Sequence, residues 1–236
     1  MYERTPGVVL RLYPLTETSL IVHWLTPGFG RLTTVAKGAR RPKSPFGGKL
    51  DLFYAADFSF SRSRRSELHT LCEVSLKETH SALRRELGYL RQASYCAALV
   101  EQTTERETPL PAIFDLMGGL LNYLPSTAPA PQSLFAFELK LLGELGLGPD
   151  WERGAWERGS VGAWRLSAGS RQIARALAGG DWKGIALLKP SAAQTTELGQ
   201  FLHRFLIFHL GKIPGGRGAA LEVGGRRSEA GPTSDL

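Results

Sequence analysis

Lys37, Arg40, Arg41, Lys43 and Lys49 all fall inside the short stretch KGARRPKSPFGGK, and Arg31 stands just before it on an apolar run. These are six cations in nineteen residues, with no acid between Glu17 and Asp51 to neutralise them. Ammonium and guanidinium groups spaced along a line do one kind of chemistry well, the ionic and hydrogen-bonded capture of phosphate oxygens that repeat along a polymer. Pro42 and Pro45 oppose helix and strand, so the stretch reads as an extended, stiffened loop. Gly38, Gly47 and Gly48 let backbone approach a ligand closely. Arg62, Arg64 and Arg65, in a second polar connection, extend the expected cationic track. The competing reading is a solvated loop whose charge only opposes aggregation, and the missing acids argue against it.

Aromatic rings beside such charge would add base stacking. Phe53 and Phe46 are the candidates; Phe53 points away from the face that carries Tyr54 and Phe58. Catalytic signatures are missing from the sequence: no GxSxG, Walker A or HExxH occurs. The histidines at 23, 69, 80, 203 and 209 are scattered, and Cys72 and Cys96 form no CxxC. A protein without enzymatic activity is therefore expected.

The elements that must position the basic loop are strands. Gly7–Tyr13, Thr18–Thr26, Arg31–Gly38, Leu50–Ser61 and Glu67–Leu76 are short runs rich in apolar and β-branched residues, with turn residues between them. In the fourth, Leu52, Tyr54, Ala56, Phe58 and Phe60 share a face. Trp24, Phe58 and Phe60 are assigned to a barrel interior. Five strands in so few residues predict a small barrel, and the OB-fold is the common five-stranded barrel that binds oligonucleotides; an SH3-like barrel fits the patterning too. The apolar period then changes. Helices are expected over Thr79–Glu107, Pro111–Leu124, Ser133–Gly148, Ser170–Gly180 and Pro190–Lys212. Strands followed by helices make the class α+β: a barrel over 1–78, then a mainly helical domain over 79–212. The Gly-rich stretch 213–236 is expected to be a disordered tail.

Charge supports a polyanionic partner. Residues 1–65 carry 11 Lys or Arg against 4 Asp or Glu, whereas the remainder carries 18 against 18. The whole excess of +7 thus lies in the barrel region. No apolar run reaches the ~18–20 residues of a membrane span, and the N-terminus has no secretory leader pattern. No membrane association and a cytoplasmic location are expected.

Three stretches resemble the bacterial RecO family. The stretch VLRLYPLTETSLIVHWLTPGFGRLTTVAKGARRPKSPFGGKLDLF is similar to its N-terminal domain, with KGARRPKS the most specific part. The stretches LRRELGYLRQASYCAALVEQ and FELKLLGELGLGPD are similar to helices of its C-terminal domain. The resemblance implies an OB-fold before a helical domain, binding of single- and double-stranded DNA, annealing of complementary strands, and a nucleoid-associated role in DNA repair and recombination. It also implies partnership with RecR and with the C-terminal tail of the single-stranded DNA-binding protein, and indirectly with RecA. The DNA-contacting positions it implies are Lys37, Arg40, Arg41 and Lys43, with Arg31 and Lys49 beside them. One departure is large. Many members carry four zinc-spaced cysteines after the equivalent of LGLGPD, whereas here 149–169 holds a tandem WERG and no cysteine. No zinc or other cofactor is expected, and Trp151, Trp156 and Trp164 are expected to serve as a hydrophobic anchor in its place. The alternatives from the residues alone are an OB-fold RNA-binding protein of translation or rRNA maturation, and an adaptor whose loop grips an acidic peptide.

Overall fold

Alternation of apolar and polar residues makes each of the first five elements a strand with one face for a core. They are β1 (Tyr2–Pro14), β2 (Leu20–Thr26), β3 (Gly30–Ala36), β4 (Ala55–Ser61) and β5 (Leu68–Glu78). In the computed structural model, which describes residues 2–151 and 166–222, they close into a barrel of order β1-β2-β3-β5-β4. The pairings are antiparallel except β3 with β5, the parallel pair that closes the barrel. This is the expected OB-fold, ahead of a mainly helical half.

The interior is aromatic. Trp24 stacks on Phe58 with centroids 4.1 Å apart, and its Nε1–H donates to Thr34 Oγ1 at 2.9 Å. Phe60, Val9, Val22 and Leu32 complete this core. A bulge shapes β1. Val9 pairs with Trp24 and Arg11 with His23, so Leu10 is an extra residue in the ladder. The inserted residue resets the parity: Val9 and Leu12 both belong to the interior, while Val8 and Leu10 join a second core outside the barrel.

That second core belongs to the helices. A 3-10 turn (Ser81–Arg85) leads into α1 (Leu87–Thr103), followed by α2 (Pro111–Tyr123), α3 (Pro131–Glu144), α4 (Ala168–Gly179), α5 (Trp182–Leu187), α6 (Ala192–Leu210) and α7 (Arg217–Leu221). Proline opens α2 and α3, where a missing N–H costs nothing. A capping box of Ser191 and Gln194 opens α6. Barrel residues Val8, Leu10, Leu25 and Phe53 pack with Leu99, Met117, Leu120 and Phe137 in one cluster. The two halves therefore share apolar surface removed from water, the main source of stability in such a contact.

The tail differs from expectation. Residues 213–222 are packed on the helical cores through Ile213, Ala220 and Leu221 and joined to them by a buried ion pair: Arg217 Nε and Nη2 donate to Glu138 Oε1 and Oε2 at 2.7 and 2.9 Å. The Tyr95 hydroxyl donates to the same carboxylate at 2.8 Å. An arginine in a Gly-rich stretch carries no apolar periodicity, so nothing local announced α7. The rest of the expected tail lies outside the described residues. The helix expected from Thr79 starts only at Leu87, because Glu86 is extended and breaks it from the 3-10 turn.

Candidate nucleic-acid interface

The β3–β4 connection carries the basic loop, and it is a chain of tight turns rather than an extended segment. Arg41 N–H donates to Gly38 O, Ser44 N–H to Arg41 O, Gly47 N–H to Ser44 O and Lys49 N–H to Phe46 O, all at 3.0–3.1 Å. Gly38, at φ 68, makes the first reversal, and the Arg41 side chain lies over it. The loop is pinned to the β1–β2 turn, with Arg40 N–H donating to Thr18 O at 2.9 Å. Prolines that exclude regular structure here favour turns as readily as an extended path.

Lys37, Arg40, Arg41 and Lys43 are exposed and Lys49 is half-buried. Among the described residues none of these side chains has a salt bridge or a side-chain hydrogen bond. Five cations therefore stand together at one end of the barrel with charge available for an external anion.

Arg31 and Arg62 do not belong with them. Arg31 opens β3 and the basic loop follows its end, so Arg31 and Lys37 are ~20 Å apart at about 3.3 Å per residue. Arg31 is half-buried against the helices, where its Nε donates to Thr104 Oγ1 at 2.9 Å and Nη2 donates to the Thr104 carbonyl. Burial pushes its guanidinium pKa down. Arg62 Nε donates to Glu3 Oε1 at 2.8 Å, and its Nη1 is ion-paired with Glu107 Oε2. The hydrogen bond to Glu3 raises the Arg62 pKa, and Arg62 in turn lowers that of Glu3. His69 completes the node. Ser63 N–H donates to its Nδ1 at 3.2 Å, so the hydrogen sits on Nε2 and points to Glu107 at 3.1 Å. Arg64 and Arg65 are exposed, but their turn follows Ser61, which pairs with Tyr2 at the start of β1. The basic loop is pinned beyond the other end of β1, so one continuous track through all nine positions is not formed.

Backbone contacts reinforce this docked end. Glu107 N–H donates to Arg31 O at 3.1 Å and Leu110 N–H to Pro27 O at 3.0 Å. At Gly30, φ 61, a Cβ would sit 1.8 Å from the Thr108 carbonyl oxygen, so only glycine fits.

The stacking candidates are also corrected. Phe53 is 0% exposed, and Phe46 is buried inside the barrel core. Phe53 does leave the barrel interior, but the space outside is filled by helices. Its φ of 65 is held by N–H donation to Val9 O at 2.9 Å and by a 2.8 Å hydrogen bond from His80 Nδ1 to its carbonyl. That reversal is why β4 begins at Ala55 rather than Leu50. The exposed aromatic rings on the barrel are Tyr2 and Tyr13. Tyr13 reads in the sequence as one more strand residue, and only its place at the end of β1 exposes it.

Among the described residues no group of three or more His, Cys, Asp or Glu side chains is placed to hold a metal ion. Cys72 lies in β5 and Cys96 is buried in α1, and neither falls in the 149–169 region. Of the three tryptophans expected as an anchor, Trp151 packs against the second helical core, while Trp156 and Trp164 lie outside the described residues. Among the described residues no helix is long and apolar enough to cross a membrane.

Comparison with known proteins agrees with the architecture. The family models described as Recombination protein O N terminal and Recombination protein O C terminal match residues 1–80 and 84–217. DNA repair protein RecO of Anaeromyxobacter dehalogenans is 34% identical over 80% of this chain and 74% of its own length. The proteins of the same description from Rhodopirellula baltica and Salinibacter ruber are 31% and 35% identical over 62% and 64% of this chain. In those two the matched stretch spans 54% and 58% of their length. An OB barrel carrying a basic loop, a helical half docked on it, and two family models that between them run through both halves lead to one statement: the chain belongs to the RecO family of DNA repair proteins.

Proposed function

We propose that this chain is a non-enzymatic DNA-binding recombination mediator. It would hold single- and double-stranded DNA through Lys37, Arg40, Arg41, Lys43 and Lys49, anneal complementary strands, and act with RecR and the single-stranded DNA-binding protein to place RecA on coated DNA. The observation that carries the reading is the cluster of cations at one barrel end, four exposed and one half-buried, without carboxylate partners among the described residues. Two strands brought together repel through their phosphates, and cations held on a rigid barrel lower that repulsion and release counterions. Such a surface contacts backbone rather than base edges, so binding is independent of sequence.

The mechanism needs no metal, and the cysteine-free region between α3 and α4 supports a member that works without zinc. Metal analysis of the purified protein tests this, and stoichiometric zinc would defeat it. The cytoplasm, at the nucleoid, is the compartment this reading requires. The principal test is annealing of complementary oligonucleotides, bare and coated with a single-stranded DNA-binding protein, with RecR present or omitted. Acceleration on both substrates is expected. An OB-fold RNA-binding protein would instead prefer structured RNA over single-stranded DNA in competition at equal salt.

A further inference from the structure

The end of β1 and the start of α1 face each other across an open groove of about 580 Å³. Leu10 and Leu52 line it from the barrel side, Leu87 and Leu90 from the helix. Leu87, the first residue of α1, is 60% exposed. Leu87 and Tyr13 thus place exposed apolar surface on opposite walls of the groove.

Tyr13 forms the aromatic part of the wall, and its orientation is fixed from two sides. Arg11 Nη1 donates to its hydroxyl oxygen at 3.1 Å, and the His23 ring packs edge-on at 5.3 Å. Arg11 and His23 are themselves both bound to Glu101 of α1. The ring is therefore held by its hydroxyl and by the T-shaped contact with His23, and the residue is 41% exposed. Arg91, exposed on α1, stands at the rim without an ion-pair partner among the described residues. The basic loop is close in the chain fold, since it is pinned to the β1–β2 turn that follows Tyr13.

We propose that this groove receives an unstacked base of single-stranded nucleic acid, with the Tyr13 ring as its stacking surface and Arg91 contacting a flanking phosphate. This rests on the nucleic-acid reading above and adds the one element that the basic loop lacks, a surface for bases. The charge at the rim and the pinned aromatic favour a nucleotide over a purely apolar occupant. Arg11 is a positioning residue: Glu101 takes up its charge, and its role is to aim the tyrosine.

The test compares binding of the full chain to dT20 and to an abasic deoxyribose-phosphate strand of equal length, at fixed salt. Tyr13→Leu is expected to weaken dT20 binding about tenfold, within the range for one stacked base, and to leave the abasic strand unaffected. Tyr13→Phe keeps the ring but loses the Arg11 contact to the hydroxyl, and is expected to bind dT20 more weakly than the wild type and more tightly than Tyr13→Leu. Arg91→Ala is expected to weaken both strands equally. Equal loss on both strands for Tyr13→Leu, or no loss on dT20, would overturn the proposal. So would a Tyr13→Leu protein that loses affinity for an acidic, apolar-ended peptide but not for dT20. Failure of the broader reading has a different signature, in which Arg40→Ala with Arg41→Ala binds both strands unchanged.

Discussion

Replacing Arg40 and Arg41 together by alanine gives the sharpest test of the barrel-end surface. Both side chains are exposed and have no ion pair among the described residues, so their removal leaves no buried charge and should not alter stability. With the five loop contacts and Arg91 on a single strand, the slope of log K against log salt is about −4.2, at about −0.7 per contact. Affinity should then fall about 340-fold between roughly 50 and 200 mM salt. The double variant keeps four contacts, a slope of about −2.8, and a fall of about 50-fold over the same range. Fluorescence anisotropy of labelled dT20 across a salt series measures both. Arg64→Ala with Arg65→Ala should leave the slope unchanged, because that turn lies at the other end of the barrel. A wild-type slope near −6, the value for about nine contacts, or a flatter slope on losing Arg64 and Arg65, would refute the division of cations drawn from the strand pairing.

Three further outcomes follow from the packing. Arg217→Met leaves Glu138 buried without its partner and should cost about 3–5 kcal/mol in urea denaturation, whereas adding Glu138→Leu should recover much of that loss. Gly30→Ala must move the Thr108 carbonyl and should destabilise by about 1–3 kcal/mol, lowering the melting temperature without changing the salt slope for DNA. The Arg62 contact lowers the Glu3 pKa below its ordinary 4.5. Its contribution is therefore present above that pH and lost as pH falls through the lower folded value. Melting temperatures of wild type and Glu3→Gln should differ modestly at neutral pH and converge in acid.

Much of the fold was legible because it rests on periodicity. Ala56, Phe58 and Phe60 alternate into the barrel, and Leu198, Phe201, Leu202, Phe205 and Leu206 line the buried face of α6. The departures at the candidate site share a physical cause: each concerns a side chain whose partner is distant in the chain. Arg31 and Arg62 are cations like Arg40 until Thr104 and Glu107 are brought beside them. Phe53 points out of the barrel, as its parity implies, but into helices rather than water. The separation of Arg31 from the loop was readable, since a residue that opens a strand cannot neighbour one that follows its end. Arg217 and α7 were not, because a single ion pair to Glu138 has no local pattern.

The shared cluster of Val8, Leu10, Leu25 and Phe53 with α1–α3 has a consequence for dissection. Cutting near residue 80, where the chain passes from strands to helices, would bare four large side chains at once on the barrel. A fragment made that way should be sticky and poorly behaved, and its affinity for DNA would say little about the parent. Two modules by topology are thus a single thermodynamic unit.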